Sequence, residues 1–442
     1  RDMQDYDSSI AKDLHADRRR STGRVPPCGV TTTQGYRKDK LSVADATQLK
    51  RSRMHSILGY VFRHGTARRY EISEVLGLSQ SAVVEYTRTL IDEGYLEESG
   101  HDASSGGRPA VRLQFNPDYR HAVTIVVDVD NIRGTVIDVI GNVHLEAEVA
   151  VPKNPGRESL VAAIVELAET LIRRRGTGPP LLGIGLALGG FVDSRKGISR
   201  EYLHAIDWYD VPLAKIVSER FGLPCIVENK ARALTLGEMH YGAGTSAENM
   251  ICLWLGQGIG MGVTLGGRLH DGATGSAGEF GHIQVVESGE MCFCGKRGCL
   301  ETVASEGVLL SKVRESLAAN VRSELHRIVG EHKTPLTMGL VVEACNRGDS
   351  LVRAVFKEAA AYVGKELAKI CNVLNPELLV LEGSVTYGNE YFCSEVRRHV
   401  EENALPQIAM SLRVESYEAE ENRRMEGLVT RLLLEHLDEL AQ

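Results

Sequence analysis

From about residue 46 the apolar positions fall three and four apart: Met54, Ile57, Leu58, Val61 and Phe62, with Gly65 closing the run. That spacing is the period of a helix. A shorter helix is predicted from Ile72 to Leu76, then a turn at Gly77-Leu78-Ser79. A third helix follows from Gln80 to Glu93, with Val83, Val84, Thr87, Leu90 and Ile91 on its apolar side. Beyond Gly94-Tyr95-Leu96 comes the turn-forming run Ser104-Ser105-Gly106-Gly107-Arg108-Pro109, after which Val111–Phe115 alternates as a strand does. Three helices, a tight turn and a β-ribbon predict a winged helix-turn-helix over 46–117. Residues 1–45 are polar, carry Arg18-Arg19-Arg20 and show no period, so they are expected to be disordered.

The pattern changes after Asn116-Pro117. Val123–Asp128 is a continuous apolar strand, Gly134–Asp138 is expected to pair with it, and Gly141-Asn142 reads as a hairpin turn. A helix is predicted over 157–175, a strand over 182–188 and a helix over 212–220. Strand Cys225–Glu228 then runs into a helix over 231–241. A second strand–glycine–strand unit begins at Met250–Leu255. The remainder is predicted helical over 308–326, 337–346 and 349–373, apart from strand Leu378–Leu381. A hairpin-rich α/β pattern that occurs twice predicts a second domain, 118–442, of two similar lobes around a cleft.

Charge sharpens this division. The 442-residue chain carries −8 overall, split as +3 over residues 1–115 and −11 over the rest. A mildly basic head on an acidic body fits a nucleic-acid-binding module on a carrier domain. No apolar run is long enough to cross a membrane and no signal-peptide pattern is present, so a cytoplasmic protein without a membrane partner is expected. The nine cysteines are an odd number, and Cys292, Cys294 and Cys299 crowd together while the others are scattered. That distribution fits a reduced protein with one metal site rather than a disulfide framework. With His282, the three thiolates complete a tetrahedral Zn²⁺ shell within 282–299. No coordination position is left open, so one structural zinc per chain is expected.

The whole run, Gly278-Glu279-Phe280-Gly281-His282 followed by Cys292-Phe293-Cys294-Gly295-Lys296-Arg297-Gly298-Cys299-Leu300-Glu301, resembles the signature of the ROK family of repressors, open reading frames and kinases. The resemblance extends over about 46–442. It implies an actin-like α/β fold, a duplicated ribonuclease-H-like domain, behind the winged helix. It also implies that Glu279, His282 and Glu301 line a sugar pocket, with His282 both binding zinc and touching sugar. Carboxylates accept hydroxyl protons, and zinc fixes the imidazole's orientation.

The chain departs from the family's kinases where catalysis would occur. Their first phosphate loop is Asp-x-Gly-Gly-Thr; here it is Asp128-Val129-Asp130-Asn131-Ile132, with side chains where backbone must approach phosphate. The second, Gly256-Gln257-Gly258-Ile259-Gly260-Met261-Gly262, is largely kept. Where the kinases carry Asn-Asp, the Asp being the catalytic base, this chain has Asn229-Lys230. A protonated Lys has no acceptor lone pair. Asn229 is left to hydrogen-bond a sugar hydroxyl. Lys230 either holds an anionic group of the ligand or pairs with Glu228, Asp130 or Glu279. Gly190 ends a strand where the family's sugar-side loop lies, and serves either close approach of a ligand or a plain turn.

The third helix is the expected DNA-reading element, presenting Ser79, Gln80, Ser81, Glu85, Tyr86 and Arg88, with Arg108 of the wing reaching the minor groove. The resulting expectation is a sugar-responsive transcription regulator, most readily a repressor, bound to operator DNA as a homodimer or homotetramer and inactive as a kinase. An active sugar kinase with an appended DNA-binding domain and a ligand-independent scaffold are the rival readings.

Overall fold

In a computed structural model the residues described are 43–101, 111–151, 153–331, 335–417 and 422–441. The segment 1–45, up to its last few residues, and the Ser104–Pro109 turn with Arg108 lie outside them. Residues 47–442 cluster as one unit. The described residues begin with α1 (Val43–His64), β1 (Thr66–Arg68), α2 (Arg69–Leu76), α3 (Gln80–Asp92), β2 (Leu96–His101) and β3 (Val111–Phe115). The strands form an antiparallel sheet in the order β1-β3-β2. Gly77, at φ +62°, ends α2 in the left-handed conformation that suits glycine. Ser79 then starts α3, its hydroxyl accepting from the Ala82 amide at 3.3 Å.

The buried side of α3 differs from the sequence expectation. Val83, Tyr86, Thr87 and Leu90 face inward, and Val84 is 51% exposed. Positions 83, 86, 87 and 90 lie on one helical stripe, which Val84 leaves by about 100°. Tyr86 is therefore a core residue. Its hydroxyl meets an Arg53 guanidinium N–H at 3.4 Å and is not displayed to solvent.

The rest of the chain builds one topology twice. The first copy is β4 (His121–Val127), β5 (Asn131–Asp138), β6 (Val143–Ala150), α4 (Arg157–Arg175), β7 (Leu181–Leu188), β8 (Phe191–Asp193), β9 (Ile198–Glu201), β10 (Tyr209–Val211), α5 (Leu213–Phe221), β11 (Cys225–Asn229) and α6 (Lys230–Tyr241). The second is β12 (Met250–Leu255), β13 (Ile259–Leu265), β14 (Arg268–Leu269), α7 (Glu301–Ala304), α8 (Glu306–Ala318), α9 (Met338–Asn346), α10 (Ser350–Leu374), β15 (Leu378–Glu382), α11 (Glu390–Asn403), α12 (Pro406–Ser411), β16 (Arg413–Ser416) and α13 (Arg423–Ala441). The sheets run β11-β7-β4-β5-β6 and β16-β15-β12-β13-β14. In each, an antiparallel three-strand meander is extended by two parallel strands. The expected doubling of an α/β lobe is thus present. The helix expected over 308–326 stops at Ala318, and β6, α11, β16 and α13 had not been foreseen.

Each copy ends in a helix that crosses to the other. Helix α6 lies on β12 and β13, α13 lies on β4, β5 and β7, and the two helices pack against each other. Their approach is close because both are notched. A Cβ on Gly237 would fall on the Arg423 carbonyl, and one on Gly427 on the Ala233 carbonyl. Helix α13 and the N-terminal elements belong to one continuous apolar core, which holds Ile57, Val61 and Phe62 as well as Leu428, Val429 and Leu432. Gly237→Ala or Gly427→Ala is expected to destabilise the fold by about 1–3 kcal/mol through overpacking. Gly307→Ala in α8, where a Cβ meets nothing within 4 Å, is expected to be neutral or mildly stabilising. Equilibrium denaturation of the three variants tests the contrast.

Candidate ligand cleft and metal centre

The loops at the ends of the central strands face one another. From the first copy come the β4–β5 turn at Asp128–Asp130, the end of β7 at Gly190, and the junction of β11 with α6 at Asn229-Lys230. From the second come the β12–β13 turn at Gly256–Gly258, the segment Glu279–His282, and Glu301 at the start of α7. Loops beyond the carboxyl ends of parallel strands are where α/β folds bind ligands.

Asn229 is more engaged than its sequence position implies. Its Oδ1 accepts from the Ala231 amide at 2.8 Å, capping α6, and its Nδ2 donates to the Gly190 carbonyl at 3.1 Å. One amide hydrogen and one lone pair remain for a ligand. Gly190 itself is required by the protein's own backbone: φ is +77° and a Cβ would fall on the Glu201 carbonyl. The strand-ending turn, rather than a ligand, accounts for the glycine.

Lys230 forms an ion pair, but with none of the three partners its sequence neighbourhood offered. Its Nζ donates to Asp128 Oδ1 at 2.5 Å. Glu228 is taken by Arg232, whose Nε lies 2.7 Å from it, and Arg232 also meets Asp271. Burial alone would raise the Asp128 carboxyl, yet Lys230 and Arg424 together hold it below its ordinary value. Tyr202 buttresses the same turn, its hydroxyl donating to the Asp128 carbonyl at 3.1 Å.

Arg424, near the start of α13, was not foreseen. Its guanidinium stacks 4.0 Å from the Trp254 ring and sits in the field of both Asp128 and Glu382. Glu382, fully buried at the end of β15, is pushed up to about 8 by burial and by nearby Glu238, and Cys252 Sγ donates to it at 3.7 Å. The glycines of β13 have a packing explanation as well. A Cβ on Gly260 would lie 2.8 Å from that of Ala231, and one on Gly262 would fall on the Thr235 side chain, so both make room for α6.

On the opposite wall, Glu301 Oε2 accepts from the Ile259 amide at 3.0 Å. Glu279 is pushed up to about 7 by burial and by Glu301. The His282 ring turns its Nε2 toward Glu279, 3.9 Å away, and its Nδ1 toward Cys292 Sγ, 3.4 Å away. Phe191, next to Gly190, packs on the rings of His282 and Phe293. Phe191 thus links the end of β7 to the segment that carries Glu279 and His282.

Ligand atoms of His282, Cys292, Cys294 and Cys299 all lie within 4.8 Å of one another, and the sulfurs of Cys294 and Cys299 are 3.6 Å apart. A tetrahedral ion with bonds of about 2.0–2.3 Å spaces its ligands by roughly 3.5 Å, so the four can hold a metal ion. The loop is shaped for it. Gly298, at φ +69°, lies where a Cβ would fall on the Val286 carbonyl, and the Cys292 amide donates to the Lys296 carbonyl at 2.8 Å.

Of the expected DNA-reading residues, Ser79, Gln80, Ser81, Glu85 and Arg88 lie exposed along α3. Glu85 is 3.4 Å from Lys50 of α1, and Arg88 is 4.0 Å from Asp92. Among the described residues no helix is long and apolar enough to cross a membrane.

Residues 123–431 match the ROK family. The chain is 29% identical over 370 residues to the xylose repressor of Caldicellulosiruptor bescii, covering 84% of this chain and 92% of that one. It is 27% identical over 408 residues to the DNA-binding transcriptional dual regulator NagC of Escherichia coli K12, covering 89% and 97%. Among solved structures, a ROK family transcriptional regulator described as a homologue of the E. coli MLC protein superposes with a TM-score of 0.75 at 24% identity, covering 89% of this chain and 99% of that one. A ROK family glucokinase from Streptomyces griseus, in complex with glucose and AMPPNP, gives 0.59 at 27% identity and covers 71% and 98%.

Replacing Lys230 by Met leaves Asp128 without its nearest cation. The expected loss is about 1–2 kcal/mol at pH 7, discounted from the several kcal/mol of a fully buried pair because the Asp128 side chain is 39% exposed. A depressed carboxyl stabilises the fold above its unfolded pKa and stops doing so as the pH falls through its folded one. The deficit of the variant should therefore be full at neutral pH and shrink as the pH drops to 3.8 and below. Melting curves of both proteins across this range check it; a deficit independent of pH would assign the loss to packing.

Proposed function

The chain belongs to the ROK family, and from that membership we propose that it is a sugar-responsive, DNA-binding transcription repressor whose kinase-like body senses rather than phosphorylates its ligand. The observation that carries the reading is the reach of the likenesses: the regulators match nearly the whole chain, the kinase a smaller share. The additional part accommodates α1–α3 and the β1-β3-β2 sheet, which we read as a winged helix-turn-helix with α3 as the helix that enters the major groove.

In the cleft, a sugar lies between Asn229 and the Glu279–Glu301 wall. Hydroxyls donate to the carboxylates, and His282 Nε2 makes a further polar contact. The metal at His282, Cys292, Cys294 and Cys299 is zinc, the ion this donor set favours. All four positions are filled by protein, so it supplies structure: it holds the imidazole with Nε2 toward the sugar. No carboxylate stands at 230 to take a hydroxyl proton, and Lys230, paired with Asp128, does not replace one.

The route from ligand to DNA runs through α6 and α13. Helix α6 begins at the cleft with Asn229 as its cap and carries in its last turn His240, whose ring lies 4.5 Å from that of Phe62 in α1. Asp438 of α13 lies 3.2 Å from His55 of α1, and His436 hydrogen-bonds the Tyr119 hydroxyl at 2.7 Å. A sugar that binds one lobe arrangement better shifts these helices, and with them the seat of the winged helix; its effect is limited to its differential affinity for the two arrangements. The protein acts as a homo-oligomer that presents two recognition helices.

A thermal-shift panel of pentoses, hexoses, amino sugars and their phosphates should contain a ligand that raises the melting temperature and releases bound DNA. A coupled assay with the same panel and ATP should show no phosphoryl transfer above background. Turnover of any of these sugars would overturn the regulatory reading in favour of a kinase. Elemental analysis should find about one zinc per chain in protein purified without chelator, and Cys294→Ala should lower that content and weaken sugar binding. Protein free of zinc that still binds its sugar would remove the metal from the site.

A further inference from the structure

The exposed stripe of α3 is Ser81, Val84, Glu85 and Arg88, one helical face at spacings of three and four. Three of the four are polar. Val84 is 51% exposed and, among the described residues of α3, stands alone as an exposed large apolar side chain. A single exposed valine on a protein surface is ordinary, but its position here is not neutral. It lies one turn into the helix, on the segment of a recognition helix that faces base edges, between residues that can each reach phosphate or base.

Resting on the reading of α3 as the recognition helix, we propose that Val84 is a specificity-determining residue that packs on the C5-methyl group of a thymine in each half-site. The thymine methyl is the apolar group on the major-groove edges of the four base pairs, so it is the feature there that a valine can recognise. Valine is also suited to it by stiffness. A β-branched side chain in a helix is held almost wholly in one rotamer, so its two methyls point outward before DNA arrives and little freedom is lost on contact. The neighbouring charges do not oppose the approach. Lys50 lies 3.4 Å from Glu85 and Asp92 4.0 Å from Arg88, so the stripe is close to neutral around Val84 and phosphate attraction does not dominate there. Val75 on α2 is exposed too, at 63%, but the first helix of the motif crosses the backbone rather than entering the groove.

The experiment uses the full chain with its metal. A duplex library with a randomised core is selected on the protein, and the enriched duplex is resynthesised with each thymine in turn replaced by deoxyuridine, which removes the methyl and keeps the base pair. One thymine per half-site should then bind wild type about three- to fivefold more weakly as deoxyuridine, the worth of one buried methyl. The Val84→Ala protein, which should fold normally because the side chain is exposed, should bind the thymine and deoxyuridine duplexes alike. A deoxyuridine penalty that persists in Val84→Ala, or an enriched duplex with no methyl-sensitive thymine, overturns the inference and leaves DNA binding intact. Failure of any sequence to enrich would instead overturn the DNA-binding reading on which it rests.

Discussion

Helices α6 and α13 meet backbone to backbone, and much of the molecule is arranged around that contact. Each is the closing helix of one copy of the fold, yet each lies on the sheet of the other copy. Glycines at 237 and 427 permit the approach, and Gly260 and Gly262 of β13 clear the opposite side of α6. Packed interiors of this density do not deform continuously; they move as bodies or rearrange between discrete states. A change in the angle between the lobes must therefore be taken up at this crossing. The N-terminal sheet and helices rest on the far ends of the same two helices, so they are placed to register it.

The polar residues of the cleft follow from the same geometry. The amino ends of α6 and α13 both point into the space between the lobes, and each brings a cation there: Lys230 against Asp128, and Arg424 against Trp254 with Glu382 nearby. Buried charge of this kind contributes little net stability compared with apolar packing, but it is costly to leave half-paired. The cluster thus specifies how the lobes face each other more than it strengthens the fold. To one side of it lies the wall with the His/Cys cluster, where Glu279 and His282 share a short segment.

Much of this was legible in the sequence. The doubled lobe showed in two strand–glycine–strand runs, and the metal loop in four ligand residues with glycines between them. Where the sequence misled, the cause was distance or angle. Val84 outranks Tyr86 in hydrophobicity, but the stripe through Val83 and Leu90 includes Tyr86 and Thr87 and excludes Val84. The partner of Lys230 was sought among acidic residues near in sequence or motif, whereas Asp128, 102 positions away, is brought in because β4 and β11 flank β7 with their ends aligned. Arg424 could not be placed in the cleft without first seeing α13. Its apolar spacing, Met425, Leu428, Val429, Leu432 and Leu433, all buried, is that of a helix, but no local pattern conveys that it packs on the first sheet and not the second.

That late return of the chain has a consequence for synthesis. Strands β4, β5 and β7 emerge from the ribosome well before residues 423–441, which cover one face of them. Local contacts form as the chain appears, but a contact of such long sequence separation must wait. Until then the first sheet keeps an apolar face uncovered, and α1 lacks Asp438, the partner of His55. A nascent chain halted before α13 would hold its N-terminal elements through the Phe62–His240 contact with α6 but without those of α13. The architecture thereby acts as a completion check, in which the N-terminal elements gain their last contacts with the body only after α13 has been translated.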